Sequence, residues 1–273
     1  MMNEELQRKV EKLQGLLKSY GQAAIAFSAG VDSTLLLKAA KEQLGKERVL
    51  ALTIKSAFVP EEDIREGKAF CLTEGIRQKI IEIDPLVYYD VRTNPSHRCY
   101  FCKRLILGRL RELAGAENIV HLLDGTNLDD LQDYRPGNEA VKELGVISPL
   151  QEAGFTKADV RAFSQALGLK TADKPSAACL ASRIPYGEEL TADKLKRVEK
   201  AEVFLRDAGF QQLRVRSHGD IARVELLPAD MERFMAAGFY GKTARKLKDL
   251  GFAYVTLDLE GYRMGSLNQV LKG

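Results

Sequence analysis

The sequence predicts an α/β protein: a doubly wound, mainly parallel sheet over residues 1–185, followed by a smaller α+β domain over 186–273. Three observations predict it. Short, continuously apolar runs alternate with helical stretches through the first two thirds of the chain, as parallel strands buried on both faces do. After Tyr186-Gly187 the pattern changes to a charged helix and strands that alternate with period two. A small-residue loop, Ser28-Ala29-Gly30-Val31-Asp32-Ser33, directly follows the first apolar run. Sheets of this kind bind ligands there, outside the carboxyl ends of their strands.

Leu6, Val10, Leu13, Leu16 and Leu17 recur at helical spacing and predict a helix over about 3–19 that Gly21 ends. Ala23 to Phe27 is the first strand, and the stretch from Thr34 to Ala40 opens the second helix. Val49 to Ile54 is the second strand, Pro60 to about Thr73 a helix, Gln78 to Ile83 the third strand and Ile119 to Asp124 the fourth. Beyond 186, Thr191 to Ala208 reads as a strongly charged helix. Leu213 to Arg216 and Ala222 to Leu227 read as half-exposed antiparallel strands. Two further helical stretches and a strand from Ala253 to Leu257 complete the smaller domain.

A chain of 273 residues is long for one compact domain and suits two. A net charge of +3 argues against a general nucleic-acid coat protein and leaves room for a local basic patch. No stretch approaches the roughly 20 apolar residues that cross a bilayer. The N-terminus is a charged amphipathic helix without the apolar core of a signal peptide. A cytoplasmic location is expected, with the four cysteines as thiols or metal ligands rather than disulfides.

The loop has the makings of a phosphate cradle. Ala29 and Gly30 let the backbone approach a ligand closely, while the Ser28 and Ser33 hydroxyls and the N–H groups of Val31, Asp32 and Ser33 are donors for phosphate oxygens. It lacks the lysine of GxxxxGK[ST] and is too short for GxGxxG. An ordinary strand–turn–helix corner with a Ser/Asp cap is the competing reading. The loop resembles the SGGxDS signature of the PP-loop ATP pyrophosphatases, with Ala29 in place of the first glycine. That resemblance implies an adenine nucleotide alpha hydrolase-like fold that binds the pyrophosphate end of ATP and releases it on adenylating a substrate.

Asp124-Gly125-Thr126-Asn127-Leu128-Asp129-Asp130 ends a strand with a tight turn and a carboxylate pair. Gly125 and Asn127 are candidate nucleotide contacts and Asp129 a candidate Mg²⁺ ligand; an Asx-type turn is the alternative. Pro149-Leu150 with Phe155-Thr156-Lys157-Ala158-Asp159-Val160-Arg161 resembles the PL…TKxxVR stretch of the same superfamily. There a capped helix brings Lys157 and Arg161 toward the nucleotide, and Thr53 and Ser56 occupy positions that contact the adenosine.

Pro175 to Glu188, with the core Cys179-Leu180-Ala181-Ser182-Arg183-Ile184-Pro185-Tyr186-Gly187, is the most diagnostic stretch. Together with Asp133-Tyr134-Arg135-Pro136-Gly137 and Gly261-Tyr262-Arg263-Met264-Gly265-Ser266-Leu267-Asn268, it is similar nearly end to end to the LarE family. The family comprises ATP-dependent sacrificial sulfur transferases that help make the nickel-pincer nucleotide cofactor of lactate racemase. The resemblance implies pyridinium-3,5-biscarboxylic acid mononucleotide as acceptor, adenylation of its carboxylate, and attack by a cysteine thiolate at the position of Cys179. In the sacrificial version the cysteine C–S bond then breaks, leaving dehydroalanine. Arg183, also a candidate nucleotide contact, and Lys174 are the cations placed to favour that thiolate. A buried, inert cysteine is the alternative.

Cys99-Tyr100-Phe101-Cys102 departs from the single-cysteine form. Cys99, Cys102 and Cys179 could hold a [4Fe–4S] cluster with one iron open, as in cluster-bearing relatives. The alternatives, in order, are a sacrificial Cys179 beside an incidental Cys-x-x-Cys, and a zinc site with His97 as fourth ligand. A redox dithiol is disfavoured, and Cys71 is read as structural. Arg214 and Arg216 share one strand face and suit the acceptor's 5′-phosphate, with Glu202 joining them and His218 an unassigned turn histidine. The family implies a homo-oligomer. A tRNA thiolase would call for a dedicated RNA surface, which the sequence lacks. A non-catalytic nucleotide or iron–sulfur scaffold is the third reading.

Overall fold

Strands β1 (Ala23–Ala26), β2 (Val49–Lys55), β3 (Arg77–Glu82) and β4 (Leu122–Leu123) form an all-parallel sheet in the order β3-β2-β1-β4. The computed structural model describes residues 3–131, 136–175, 179–263 and 265–271. Asp133-Tyr134-Arg135, Ser176-Ala177-Ala178 and Met264, parts of the diagnostic stretches, lie outside them. The helices in chain order are α1 (Glu4–Tyr20), α2 (Val31–Leu44), α3 (Glu61–Glu74), α4 (Tyr89–Arg92), α5 (Arg98–Ala116) and α6 (Gly137–Glu143). They continue with α7 (Pro149–Glu152), α8 (Lys157–Ala166), α9 (Ala192–Asp207), α10 (Pro228–Met235) and α11 (Phe239–Asp249).

Alternate residues of the central strands face opposite layers. Ala23 and Ile25 of β1 pack with α1, α2 and α8, through Leu13, Leu17, Leu35 and Val160. Ala24 of β1 and Leu50 and Leu52 of β2 pack with α5, through Leu107 and Leu110. Helices on both faces make the sheet doubly wound, as predicted. The chain runs outward from β1 to β3 and then returns to β4 on the other side of β1. The carboxyl end of β1 is therefore the topological switch point, and the Ser28–Ser33 loop leaves from it.

Local chemistry sets the ends of these elements. The Asn3 side chain accepts from Leu6 N at 2.8 Å to start α1, and Gly21 at φ 70° ends it. α2 begins at Val31, three residues before the predicted opening at Thr34, because Gly30 O already accepts from Thr34 N. Leu35, Leu36 and Leu37 are all fully buried, so α2 shows no amphipathic period. α5 was not anticipated. The fourth strand is reduced from the expected Ile119–Asp124 to two residues, where Ile147 bridges Leu123 in parallel on its outer side.

The contacts divide the chain into two compact units, Met1–Asp84 with His97–Ala177 and Pro85–Ser96 with Ala178–Gly273. The division at 185/186 treats the domains as consecutive, whereas the second unit is discontinuous. Asn94, fully buried at φ 55°, donates to Ile184 O (3.3 Å) and Pro185 O (2.7 Å), and its own carbonyl accepts from Gly187 N (2.9 Å). The second unit's sheet is β5 (Leu213–His218), β6 (Ile221–Leu226) and β7 (Tyr254–Leu257), with β5/β6 antiparallel and β6/β7 parallel. β5 is buried from Leu213 to Ser217, which overturns the half-exposed reading: its arginines face buried carboxylates, not water. Among the described residues no helix is long and apolar enough to cross a membrane.

Charged pairs inside the second unit explain how an arginine-rich strand can be buried. Glu202 of α9 takes Arg183 at 2.8 and 3.0 Å and also accepts from Val215 N of β5 at 3.0 Å. Burial works to raise the Glu202 carboxyl, but Arg183 prevails and holds it below the ordinary carboxylate range. A depressed acid contributes stability above its unfolded value of roughly 4.3 and loses it as pH falls below. Glu202→Ala should destabilise this unit by about 3–5 kcal/mol at pH 7, since it strands a buried guanidinium. Denaturant unfolding of wild type and variant at neutral and acid pH checks this, and the gap between them should narrow toward acid.

Candidate functional site

β1 ends at Ala26, and Phe27 N donates to Leu52 O, so the chain is still sheet-bound as it enters the loop. Ala29 turns into the left-handed region at φ 57°. The loop is closed on itself by its serines: Ser28 N donates to Ser33 Oγ (3.3 Å), the two hydroxyls lie 3.1 Å apart, and Ser33 Oγ donates to Gly30 O (3.2 Å). No side chain caps the N-terminus of α2. The first-turn N–H groups and the positive end of a 14-residue helix dipole are thus left to an anion.

Asp32 in that first turn ties the loop to two other segments. Its Oδ1 accepts from Asn127 Nδ2 at 2.9 Å and its Oδ2 from Lys157 Nζ at 2.5 Å. Asn127 is fully buried in the turn after β4. Asp124 organises that turn, accepting from Thr126 N (3.2 Å), Thr126 Oγ1 (2.7 Å) and Ser148 Oγ (2.7 Å). Gly125 is required by close approach: a Cβ there would lie 2.8 Å from Ser33 N. Ser28, Ala29, Gly30, Val31, Asp32, Ser33, Gly125, Asn127 and Lys157 therefore converge at the switch point.

The other candidates serve their own neighbourhood. Asp129 accepts from Lys157 N at 2.8 Å, and Asp130 accepts from Asn127 N at 3.0 Å, so both carboxylates stabilise the turn and the start of α8. Among the described residues no group of three or more His, Cys, Asp or Glu is placed to hold a metal ion. Thr53 is buried, donates to Phe27 O at 2.9 Å and accepts from Gln78 Nε2, and Ser56 Oγ accepts from Phe58 N. Arg161 donates to the carbonyls of Ala172 and Lys174. Lys174, considered above as a cation for the cysteine thiolate, places its ammonium on Asp63, Glu66 and the Ala29 carbonyl.

All four cysteines are thiols. Burial pushes Cys71 up to about 12, which makes it the inert structural residue expected. Cys99 and Cys102 lie in the first turns of α5, three apart and so on one helix face. Cys99 Sγ accepts from the buried Arg98 guanidinium at 3.4 Å. The donor chemistry of this pair suits two corners of a [4Fe–4S] cluster. The third thiol, Cys179, belongs to the other unit.

Cys179 is exposed and stands just before a short 3-10 turn, Leu180–Arg183, from which Arg183 NH1 returns to Cys179 O at 3.3 Å. Burial works against the Arg183 cation. The Glu202 carboxylate prevails, with a smaller contribution from Cys179, and holds the guanidinium above its ordinary value. Arg216 is clasped by Glu225 at 2.9 and 3.0 Å and reaches Ser182 O (2.7 Å) and Ser266 Oγ (2.7 Å). Arg214 lies 5.0 Å over the Tyr262 ring, and burial, with the charge of Arg183, pushes it down to about 10. His218 is also lowered, first by burial, with Nε2 buried and unbonded. Thus Arg183, Glu202, Arg214 and Arg216 form one buried charge cluster, which Arg183 links to Cys179.

Residues 5–115 match the NAD synthase family. Over 266 residues the chain is 39% identical to the pyridinium-3,5-bisthiocarboxylic acid mononucleotide synthase of Lactiplantibacillus plantarum, covering 97% of this chain and 96% of that one. The chain belongs to the LarE family. A further relative, an uncharacterized protein of Synechocystis sp., is 43% identical over 97% of this chain and 99% of its own length. An uncharacterized protein of Methanocaldococcus jannaschii is 29% identical over 94% and 98%.

For this LarE-family chain, sequence reasoning missed Glu225, Ser148, Gln78 and the acid pair Asp63 and Glu66. Glu225 had a signal, because it stands opposite Arg214 on the neighbouring strand, where opposite charges pair. The others are joined to the site only by the tertiary fold. Gly125→Ala should lower acceptor-dependent pyrophosphate release by on the order of 10²-fold, since its methyl must displace the Ser33 backbone. Steady-state kinetics, with the unfolding temperature measured alongside, checks this, and an unaltered rate would show that the turn is not part of the phosphate site.

Proposed function

We propose that this chain is an ATP-dependent sulfur transferase that converts the carboxylates of pyridinium-3,5-biscarboxylic acid mononucleotide to thiocarboxylates, on the route to the nickel-pincer nucleotide. The observation that carries the reading is the similarity to the Lactiplantibacillus plantarum synthase, which spans both the phosphate loop and the Cys179 segment. The loop amides and serine hydroxyls bind the β- and γ-phosphates, with Mg²⁺ carried mainly on their oxygens. Lys157, now neutralised by Asp32, supplies positive charge as the pyrophosphate separates. A carboxylate oxygen of the acceptor attacks the α-phosphorus, pyrophosphate leaves, and an acyl-adenylate forms.

The Cys179 thiolate, beside the Arg183 guanidinium, then attacks the acyl carbon and AMP leaves. Loss of the Cys179 Cα proton with rupture of its Cβ–S bond yields the thiocarboxylate and dehydroalanine. A [4Fe–4S] cluster on Cys99, Cys102 and Cys179 would supply hydrosulfide at its open iron and spare the cysteine. Arg214 and Arg216 bind the acceptor's 5′-phosphate. Burial and the neighbouring Arg183 charge depress Arg214 despite the Glu202 carboxylate, and an incoming phosphate would oppose that shift.

Cys179→Ser should retain acceptor-dependent pyrophosphate release and lose thiocarboxylate formation, followed by mass spectrometry of the product. Product at the wild-type rate would contradict the role of Cys179. Anaerobic preparation with an iron count, then intact mass after one turnover, fixes the sulfur source. Loss of one H₂S without iron identifies Cys179, and an unchanged mass with about four irons identifies the cluster.

A further inference from the structure

Ala29 carries a Cβ in a conformation that costs an alanine energy. Among the described residues only Ala29, Asn94 and Asn118 combine a positive φ with a side chain. Asparagine tolerates that region by bonding its own backbone, whereas alanine has no such means. The surroundings must hold Ala29 there. Two features of the first unit do so. Gly67 of α3 leaves space for the methyl, since a Cβ on Gly67 would lie 3.3 Å from Ala29 Cβ. Lys174 Nζ donates to Ala29 O at 3.2 Å.

Lys174 is itself fixed from the same helix. Asp63 Oδ1 and Glu66 Oε2, one helical turn apart, accept from its ammonium at 2.7 and 2.6 Å. Burial works against that cation, but the two carboxylates prevail and keep it charged. The carbonyl of Lys174 is held in turn by Arg161 of α8 at 2.9 Å. The Lys174 and Asp63 side chains are largely buried, at 19% and 13% exposed, whereas Glu66 closes the clamp from the surface at 46%.

We infer that Lys174 is a positioning residue of the phosphate loop: through the Ala29 carbonyl it holds the left-handed turn that shapes the anion cradle. Asp63, Glu66 and Gly67 form the face of α3 that seats both the lysine and the methyl. The pairing of an alanine at this loop position with the Lys174 clamp replaces the conformational freedom a glycine would bring. Lys174 also stands five residues before Cys179 in the chain, so the clamp anchors the start of the segment that leads to the thiol. The inference rests on the reading of this loop as the ATP site.

The test measures ATP affinity by calorimetry and acceptor-dependent pyrophosphate release in Lys174→Met, Ala29→Gly and the double variant, with unfolding temperatures for each. Lys174→Met should weaken ATP binding about tenfold, because Ala29 loses what offsets its strain. Introduced into Ala29→Gly, the same lysine substitution should cost no more than about threefold in affinity, since glycine accepts the turn unaided. Restoration of a poorly folding Lys174→Met by Ala29→Gly supports the same role. A double variant as weak as Lys174→Met, a Lys174→Met with wild-type affinity, or a pair in which neither folds overturns it. Wild type that binds no ATP would instead remove the underlying reading of the loop.

Discussion

The carboxylate of Asp32 joins its own stretch of chain to two others, 95 and 125 residues further on. From the first turn of α2 it takes the Asn127 amide with one oxygen and the Lys157 ammonium with the other. The helix N-terminus behind it is attractive to anions, and an acid in the first turn stabilises that end while the cradle is empty. The same acid keeps the Asn127 turn against the loop, where Gly125 permits backbone contact. It also keeps Lys157 at the edge of the cradle rather than in solvent. The geometry of the phosphate site thus depends on one ion-paired residue, and the sheet's topology decides where that residue stands.

The second unit solves a different problem. It buries several guanidiniums near the exposed Cys179 thiol, and burying unpaired charge is expensive. Glu202 and Glu225 offset Arg183 and Arg216 with two-point contacts, the strong geometry for such pairs. The balance leaves Arg214 depressed, while Arg183 stays charged and in electrostatic contact with Cys179. The cation needed beside a thiolate and the cation suited to a phosphate come from one network. A change at Glu202 therefore reaches both.

Much of this was legible in the sequence. The Ser28–Ser33 loop announced itself by small residues after a buried run, and α1 by five apolar residues at helical spacing. The helix α5 was legible too, since Ile106, Leu107, Leu110, Leu113 and Ala114 recur at three and four, but the Cys-x-x-Cys at its start drew the reading toward chemistry. The burial of Arg214 and Arg216 was not legible. Alternation of Arg with Val describes a strand face, and only the partner acids decide whether that face meets water. Thr53, Arg161 and Lys174 show the same limit. The hydrogen bonds of Thr53 and Lys174 run to Phe27 and Ala29, partners set by how distant segments pack, while those of Arg161 stay in its own neighbourhood at Ala172 and Lys174.

The central claim is that the loop drives adenylation of a carboxylate by ATP. Exchange of labelled pyrophosphate into ATP, with and without pyridinium-3,5-biscarboxylic acid mononucleotide, tests it most directly. The account predicts exchange that depends on the acceptor, with AMP and pyrophosphate as the only nucleotide products. Cleavage to ADP and phosphate, or exchange indifferent to the acceptor, would contradict it.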